Sequence, residues 1–153
     1  MFLLAPTAHV ASYAGEVEDA KEEVRNNPDD ALAHFFLGVA YAELGMQKEA
    51  IGSLKQAIRI DPDHAKAHFN LGSAYYNSGM YKKGIESLKQ AVVAYKQIIR
   101  INPDDAGAHF HLGLIYYGLD DRGSAIEQYK ILKKLDTEWA KMLLDYIDKH
   151  TQP

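Results

Sequence analysis

Apolar residues recur every three or four positions along most of the chain, the period of helices with one buried face. The longest such run is Tyr81, Ile85, Leu88, Val92, Tyr95 and Ile99, spaced 4, 3, 4, 3, 4. No Gly or Pro interrupts Ile85 to Ile101. The pattern predicts one continuous helix from Tyr81 to Ile101, roughly 30 Å long at 1.5 Å per residue. A second amphipathic helix is predicted from Thr137 to Lys149. Trp139, Leu143, Tyr146 and Ile147 form its apolar face, and Glu138, Lys141, Asp145 and Asp148 its outer face.

The helical pattern is also periodic on a longer scale. ALAHFFLGVAY from Ala31, AKAHFNLGSAY from Ala65 and AGAHFHLGLIY from Ala106 align without gaps, the first two 34 residues apart and the next pair 41 apart. Each unit reads as two amphipathic helices joined by a turn, ELGMQ, NSGMY or GLDDRGS, with Gly near the helix end. Gly38, Gly72 and Gly113 fall inside helices, where Gly costs about 1 kcal/mol relative to Ala. Such a cost is expected where a partner helix must approach closely. Asp29-Asp30 and Asp104-Asp105 stand where caps of the next helix belong.

The 34-residue period and its signature resemble the tetratricopeptide repeat. The motif falls on Leu37, Gly38, Tyr41, Ala50, Leu54, Ala57 and Pro62. It returns on Leu71, Gly72, Tyr75, Gly84, Leu88 and Ala91, with Pro103 delayed, and then on Leu112, Gly113, Tyr116, Ala125 and Tyr129. Thr137 stands in the last Pro slot, and His34, His68 and His109 occupy the usual Trp slot. The resemblance implies an all-α solenoid of tandem helix-turn-helix repeats, a right-handed superhelix, here with one extended helix and a C-terminal capping helix. The expected organisation is a segment 1–30 carrying a degenerate half-repeat helix, repeats over 31–64, 65–105 and 106–136, and a cap over 137–153.

Seven extra residues lie between Leu88 and Pro103, compared with Leu54 to Pro62. Seven residues rotate a helix by roughly 700°, ~20° short of two turns, so its faces stay in phase. The insertion has no turn chemistry and is expected to lengthen the helix rather than to bulge. The next repeat would then start about 10 Å further along the axis than regular stacking provides. The lengthened stripe at Val92, Tyr95 and Ile99 would pair either with the N-terminal segment or with a second copy of the chain as a homodimer.

Composition narrows the function classes. The formal charge of −4 argues against a nucleic-acid binder acting through bulk charge. The absence of Cys excludes disulfides and thiolate chemistry, and fits cytoplasm and periplasm alike. No apolar run approaches the ~20 residues of a membrane span. The start, MFLLAPTAHV, lacks a basic flank and is broken by Pro6, so it is not read as a complete signal peptide. No nucleotide, hydrolase or metalloprotease motif is present, and neither an enzymatic activity nor a cofactor is expected.

The resemblance implies a concave groove, lined by the first helix of each repeat, that takes a peptide or helix of a partner protein. Its positions here are Phe35, Phe36 and Val39; Phe69, Asn70, Ser73, Tyr76 and Asn77; and Phe110, His111, Leu114 and Tyr117. Large rings supply contact area at low rotor cost, and Asn70 and Asn77 can hydrogen-bond a ligand backbone. The bland alternative is that the Phe residues pack between helices. A related sub-class clamps the terminal carboxylate of heat-shock chaperones with Asn and basic residues. Only Asn70 fits it, because Phe35, Val39, Gly107 and His111 stand in the other slots, so that role is rejected. His64 and His68 are four apart, but no third metal ligand is evident. Lys82, Lys89, Lys96 and Arg100 form a basic stripe that reads as a solvated face or a contact for an acidic partner. Two readings remain open: a groove-binding interaction scaffold, and a scaffold that self-assembles through the long helix.

Overall fold

The computed structural model describes the backbone of residues 7–149 and the side chains of residues 14–149. Met1 to Pro6, on which the signal-peptide reading rests, lie outside the described residues. Among those described there are eight helices and no strands. They are α1 (Thr7–Asn26), α2 (Ala31–Glu43), α3 (Gln47–Ile60), α4 (Ala65–Asn77), α5 (Tyr81–Ile101), α6 (Ala106–Gly118), α7 (Arg122–Leu135) and α8 (Thr137–Lys149). The long helix therefore has the bounds its spacing predicts. The chain forms two compact units that divide between Ser87 and Leu88, inside α5.

In the first unit, α1 lays Val17, Ala20 and Val24 against Leu37, Ala40, Tyr41 and Leu44 of α2 and its turn. Val17 and Val24 stand 34 residues before Ile51 and Ile58 of α3, so α1 is the second helix of a half-repeat. It begins well before the recognisable pattern, at Thr7. The main core joins Phe35, Leu54, Ala57, Ala67, Leu71 and Ala74 from α2, α3 and α4. Leu54 is fully buried, and a Cβ on Gly38 would stand 2.6 Å from its Cγ. A Cβ on Gly84, at the start of α5, would stand 2.5 Å from the Tyr76 ring. These mid-helix glycines mark helix crossings too close for any side chain.

In the second unit, Leu132, Ala140 and Leu143 form a core under Phe110, Leu114, Tyr129 and Trp139. Here the close crossing is different. Leu143 of α8, rather than a residue of α7, fills the space a Cβ on Gly113 would need. From Leu88 onward, α5 packs on α6: Tyr95 is 3% exposed and stacks on His111 at 5.1 Å. Its buried positions are Leu88, Ala91, Ala94 and Tyr95. Ala50, Leu54 and Ala57 of α3 are matched by Gly84, Leu88 and Ala91 at a spacing of 34, and by Ala91, Tyr95 and Ile98 at a spacing of 41. The insertion thus writes the second-helix pattern twice, in overlapping registers that share Ala91.

Three turns place a residue at positive φ: Gly45 and Gly79 at 73°, and Asp120 at 61°. The third is neither of the glycines that flank it. The first helices are capped at one equivalent position. Asp30 accepts from Leu32 N at 2.8 Å, Asp105 from Ala108 N at 2.8 Å, and His64 Nδ1 from Ala67 N at 3.3 Å. The three histidines in the Trp slot share one task. His34, His68 and His109 each place Nε2 on the carbonyl of the proline six residues earlier, at 2.9, 2.8 and 2.8 Å. Each ring donates to a turn carbonyl and ties the inter-repeat turn to the helix that follows it.

Candidate partner-binding face

Helix α2 leaves an apolar stripe uncovered. Leu32 is 53% and Phe36 59% exposed, and Val39 is partly buried one turn further on. The spacing of four and then three places them on one face. Phe36 lies edge-on to Phe35, at 5.3 Å between ring centres. Phe36, Val39 and Ala40 line a cavity of about 320 Å³ with Ala20 of α1, and Glu16, Asp19 and Glu43 stand around it. The local surface is therefore an aromatic floor with an acidic rim.

Phe35, its neighbour, was expected to face a ligand. It is buried instead, against Leu54, Ala57 and Leu71 and beside the His64 ring at 4.9 Å. The helical period allows either adjacent Phe to point inward, and the small residues Ala57 and Ala67 make room for Phe35. On α4, Phe69, Asn70, Ser73 and Tyr76 are half-buried and Asn77 is exposed. The Asn70 amide donates to Lys66 O at 2.9 Å, and the Ser73 hydroxyl to Phe69 O at 3.2 Å. Both donors are committed to their own helix, which leaves the Asn70 side-chain oxygen as the free acceptor.

On α6, the four expected positions meet other parts of the second unit. Phe110 is edge-on to Trp139 at 4.9 Å, and Tyr117 to Tyr146 at 5.7 Å. Leu114 packs on the Leu132–Leu143 core. His111 lies on Tyr95 and places Nδ1 2.7 Å from Gly107 O. Helix α8 thus lies along the α6 face that was expected to receive a ligand, and Gly113 permits that approach. The expected self-association residues divide: Tyr95 is buried within the unit, whereas Val92 and Ile99 are half-buried. Tyr95 is lost to that role because α6 already covers it.

Electrostatics single out two buried groups. Burial pushes the Tyr95 phenol well above its ordinary range, and its hydroxyl has no hydrogen-bond partner. Burial also holds the His64 imidazole below its ordinary value, with Asp61 opposing that shift and His68 and Lys66 adding to it. Its Nε2 is buried without a partner. His64 and His68 are thus engaged with backbone groups, and no cluster of three metal-ligating side chains occurs among the described residues. In the basic stripe, Lys82, Lys89 and Arg100 face solvent and Lys96 lies over the Tyr116 ring at 5.8 Å. No helix among the described residues is long and apolar enough to cross a membrane.

Sequence-family models agree with this helix-pair architecture. A model described as TPR repeat matches residues 40–79 and 85–120, and one described as tetratricopeptide repeat matches residues 65–98. The chain belongs to the tetratricopeptide repeat family. Among solved structures, this TPR chain is similar to MamA, with 28% identity and a TM-score of 0.53 over 82% of this chain and 69% of that one. It shares the fold of MamA residues 41–end from Desulfovibrio magneticus RS-1, at 24% identity and a TM-score of 0.56 over 86% and 70% of the two chains. It also shares the fold of the TPR2B domain of yeast Sti1 in its complex with pHsp70, at 22% identity and a TM-score of 0.60 over 77% and 86%. A search of curated protein sequences finds no match. The architecture is that of a protein–protein interaction scaffold.

Proposed function

We propose that this TPR protein acts by docking a segment of a partner protein on the α2 face of its first unit. The observation that carries the reading is Phe36, a large ring more than half exposed on a rigid helix and bordering a cavity. Leu32 and Val39 extend the apolar contact along α2. Glu16, Asp19 and Glu43 select a partner whose apolar anchor is flanked by Lys or Arg. Phe69, Tyr76 and Asn77 of α4 supply the polar and aromatic continuation of this surface. The reading is one of binding, with no reacting group required. Self-association through α5 draws less support, because Tyr95 at the centre of its stripe is already packed on His111.

The test is selection of random peptides displayed on phage against the intact chain, followed by affinity measurement on the wild type and on Phe36→Ala. Selected peptides should be enriched in Lys or Arg beside an apolar residue. They should bind Phe36→Ala at least about tenfold more weakly, as is typical of an aromatic hot spot. Peptides that bind both proteins equally would remove Phe36, and with it this docking face.

A further inference from the structure

A second cavity, of about 470 Å³, shares no residue with the one beside Phe36. Ile51 of α3, Tyr75 of α4 and Met80 before α5 line it with apolar surface, and Lys48, Lys55 and Lys83 bring three ammonium groups to it. Among the described residues, none of the three has a carboxylate within ion-pair distance. Three unneutralised like charges around one hole run against the net charge of −4.

The repeat shows why one of these cations is surplus. Lys21 and Tyr41, Lys55 and Tyr75, and Lys96 and Tyr116 are each twenty residues apart. In the first and third pairs the lysine lies over the tyrosine ring, at 6.0 and 5.8 Å. In the middle pair Lys83 takes that place, 5.8 Å from the Tyr75 ring. Lys55 is displaced from the ring that its counterparts cover, and it lines the cavity instead.

We propose that this cavity binds an acidic peptide segment of a partner protein. One large apolar side chain rests on Ile51, Tyr75 and Met80, and flanking carboxylates meet Lys48, Lys55 and Lys83. The volume lies within the range of ligand pockets, roughly 300–1,000 Å³. The apolar floor favours a side chain over a bare phosphate. Three lysines around one hole, on a chain of net negative charge, favour a peptide over an anionic membrane. This site is independent of docking at Phe36.

The experiment is fluorescence anisotropy with a labelled octapeptide of Glu and Asp around a central Phe. The wild type should bind it, and more weakly as NaCl rises. Combined Lys48→Gln, Lys55→Gln and Lys83→Gln should weaken binding tenfold or more. Lys55→Gln alone, which leaves the cation over Tyr75 in place, should weaken it severalfold. Phe36→Ala should leave it unchanged, and a control peptide with Gly for Phe should bind several times more weakly. The proposal is overturned if the wild type does not bind at millimolar peptide, if the triple variant binds equally, or if Phe36→Ala abolishes binding. It is also overturned if the Gly control binds as well as the parent. Lysine-dependent sedimentation with phosphatidylserine vesicles, without peptide binding, would assign the site to a lipid surface instead.

Discussion

Replacing Gly38 with Ala sets two effects of known sign against each other. Intrinsic helix propensity favours Ala by about 1 kcal/mol. The added Cβ, however, would lie 2.6 Å from Leu54 Cγ, 3.0 Å from Cδ2 and 3.2 Å from the Leu54 backbone nitrogen. Leu54 has no exposed surface and cannot swing away, and a nitrogen of α3 moves only with its helix. Overpacking of this kind costs about 1–3 kcal/mol, and the upper end applies where backbone is involved. The net expectation is destabilisation by about 2 kcal/mol. Leu54→Ala alone should cost about 2–5 kcal/mol through the cavity it leaves. In that background the Gly38→Ala methyl enters free space. Its effect should reverse sign and stabilise by several tenths of a kcal/mol, up to about 1. The coupling between the two sites is then about 2–3 kcal/mol. Gly52→Ala, on α3 with nothing within 4 Å of the new Cβ, is the propensity control and should stabilise by about 0.8–1 kcal/mol. Urea unfolding followed by circular dichroism, with amide exchange on α2 and α3, reads all four proteins. Gly38→Ala that stabilises the wild type, or that destabilises both backgrounds equally, would refute the argument from close approach.

Tyr95→Phe removes a buried hydroxyl with no partner and should raise the stability of the second unit by about 1 kcal/mol, seen as a higher urea midpoint. His64 caps α4 through an unprotonated Nδ1, and burial lowers its folded pKa below the unfolded value of 6.5. Its contribution is therefore fully present above pH 6.5 and is lost as pH falls from there through the folded value, because the unfolded chain binds the proton first. Urea midpoints at pH 7.5 and 5.5 should show a larger drop for the wild type than for His64→Asp, which restores the cap found at Asp30 and Asp105. Asp120→Gly relieves a positive φ at an exposed turn and should stabilise by about 0.5–1 kcal/mol in thermal unfolding, since the Arg122 contact it removes is long and solvent-exposed.

The bounds of α5 were legible because its period is unbroken over 21 residues and Asn102-Pro103 ends it. The caps at Asp30 and Asp105 were legible for the same local reason: their chemistry acts within three residues. What could not be read were choices between adjacent residues settled by distant partners. Phe35 points inward and Phe36 outward because α3 and α4 offer Ala57 and Ala67 to one side of α2. The glycine at 113 announced a close crossing, but not that α8 would make it. His64 looked like half of a metal pair, although the alignment already set it at the capping position of Asp30 and Asp105. That equivalence was the signal available for its role. Tyr95 showed as part of an apolar stripe; only the second register, 41 residues from Leu54, explains why it is covered.

The histidines in the Trp slots have an optical consequence. They leave Trp139 as the single indole in the chain, placed edge-on against Phe110 at the start of α8. Its emission therefore reports on the docking of one terminal helix, without background from the repeats. Circular dichroism sums over all the helices. A red shift of the indole that precedes the loss of ellipticity would time the release of α8 from α6, and coincident curves would show the end helix melting with the body it covers.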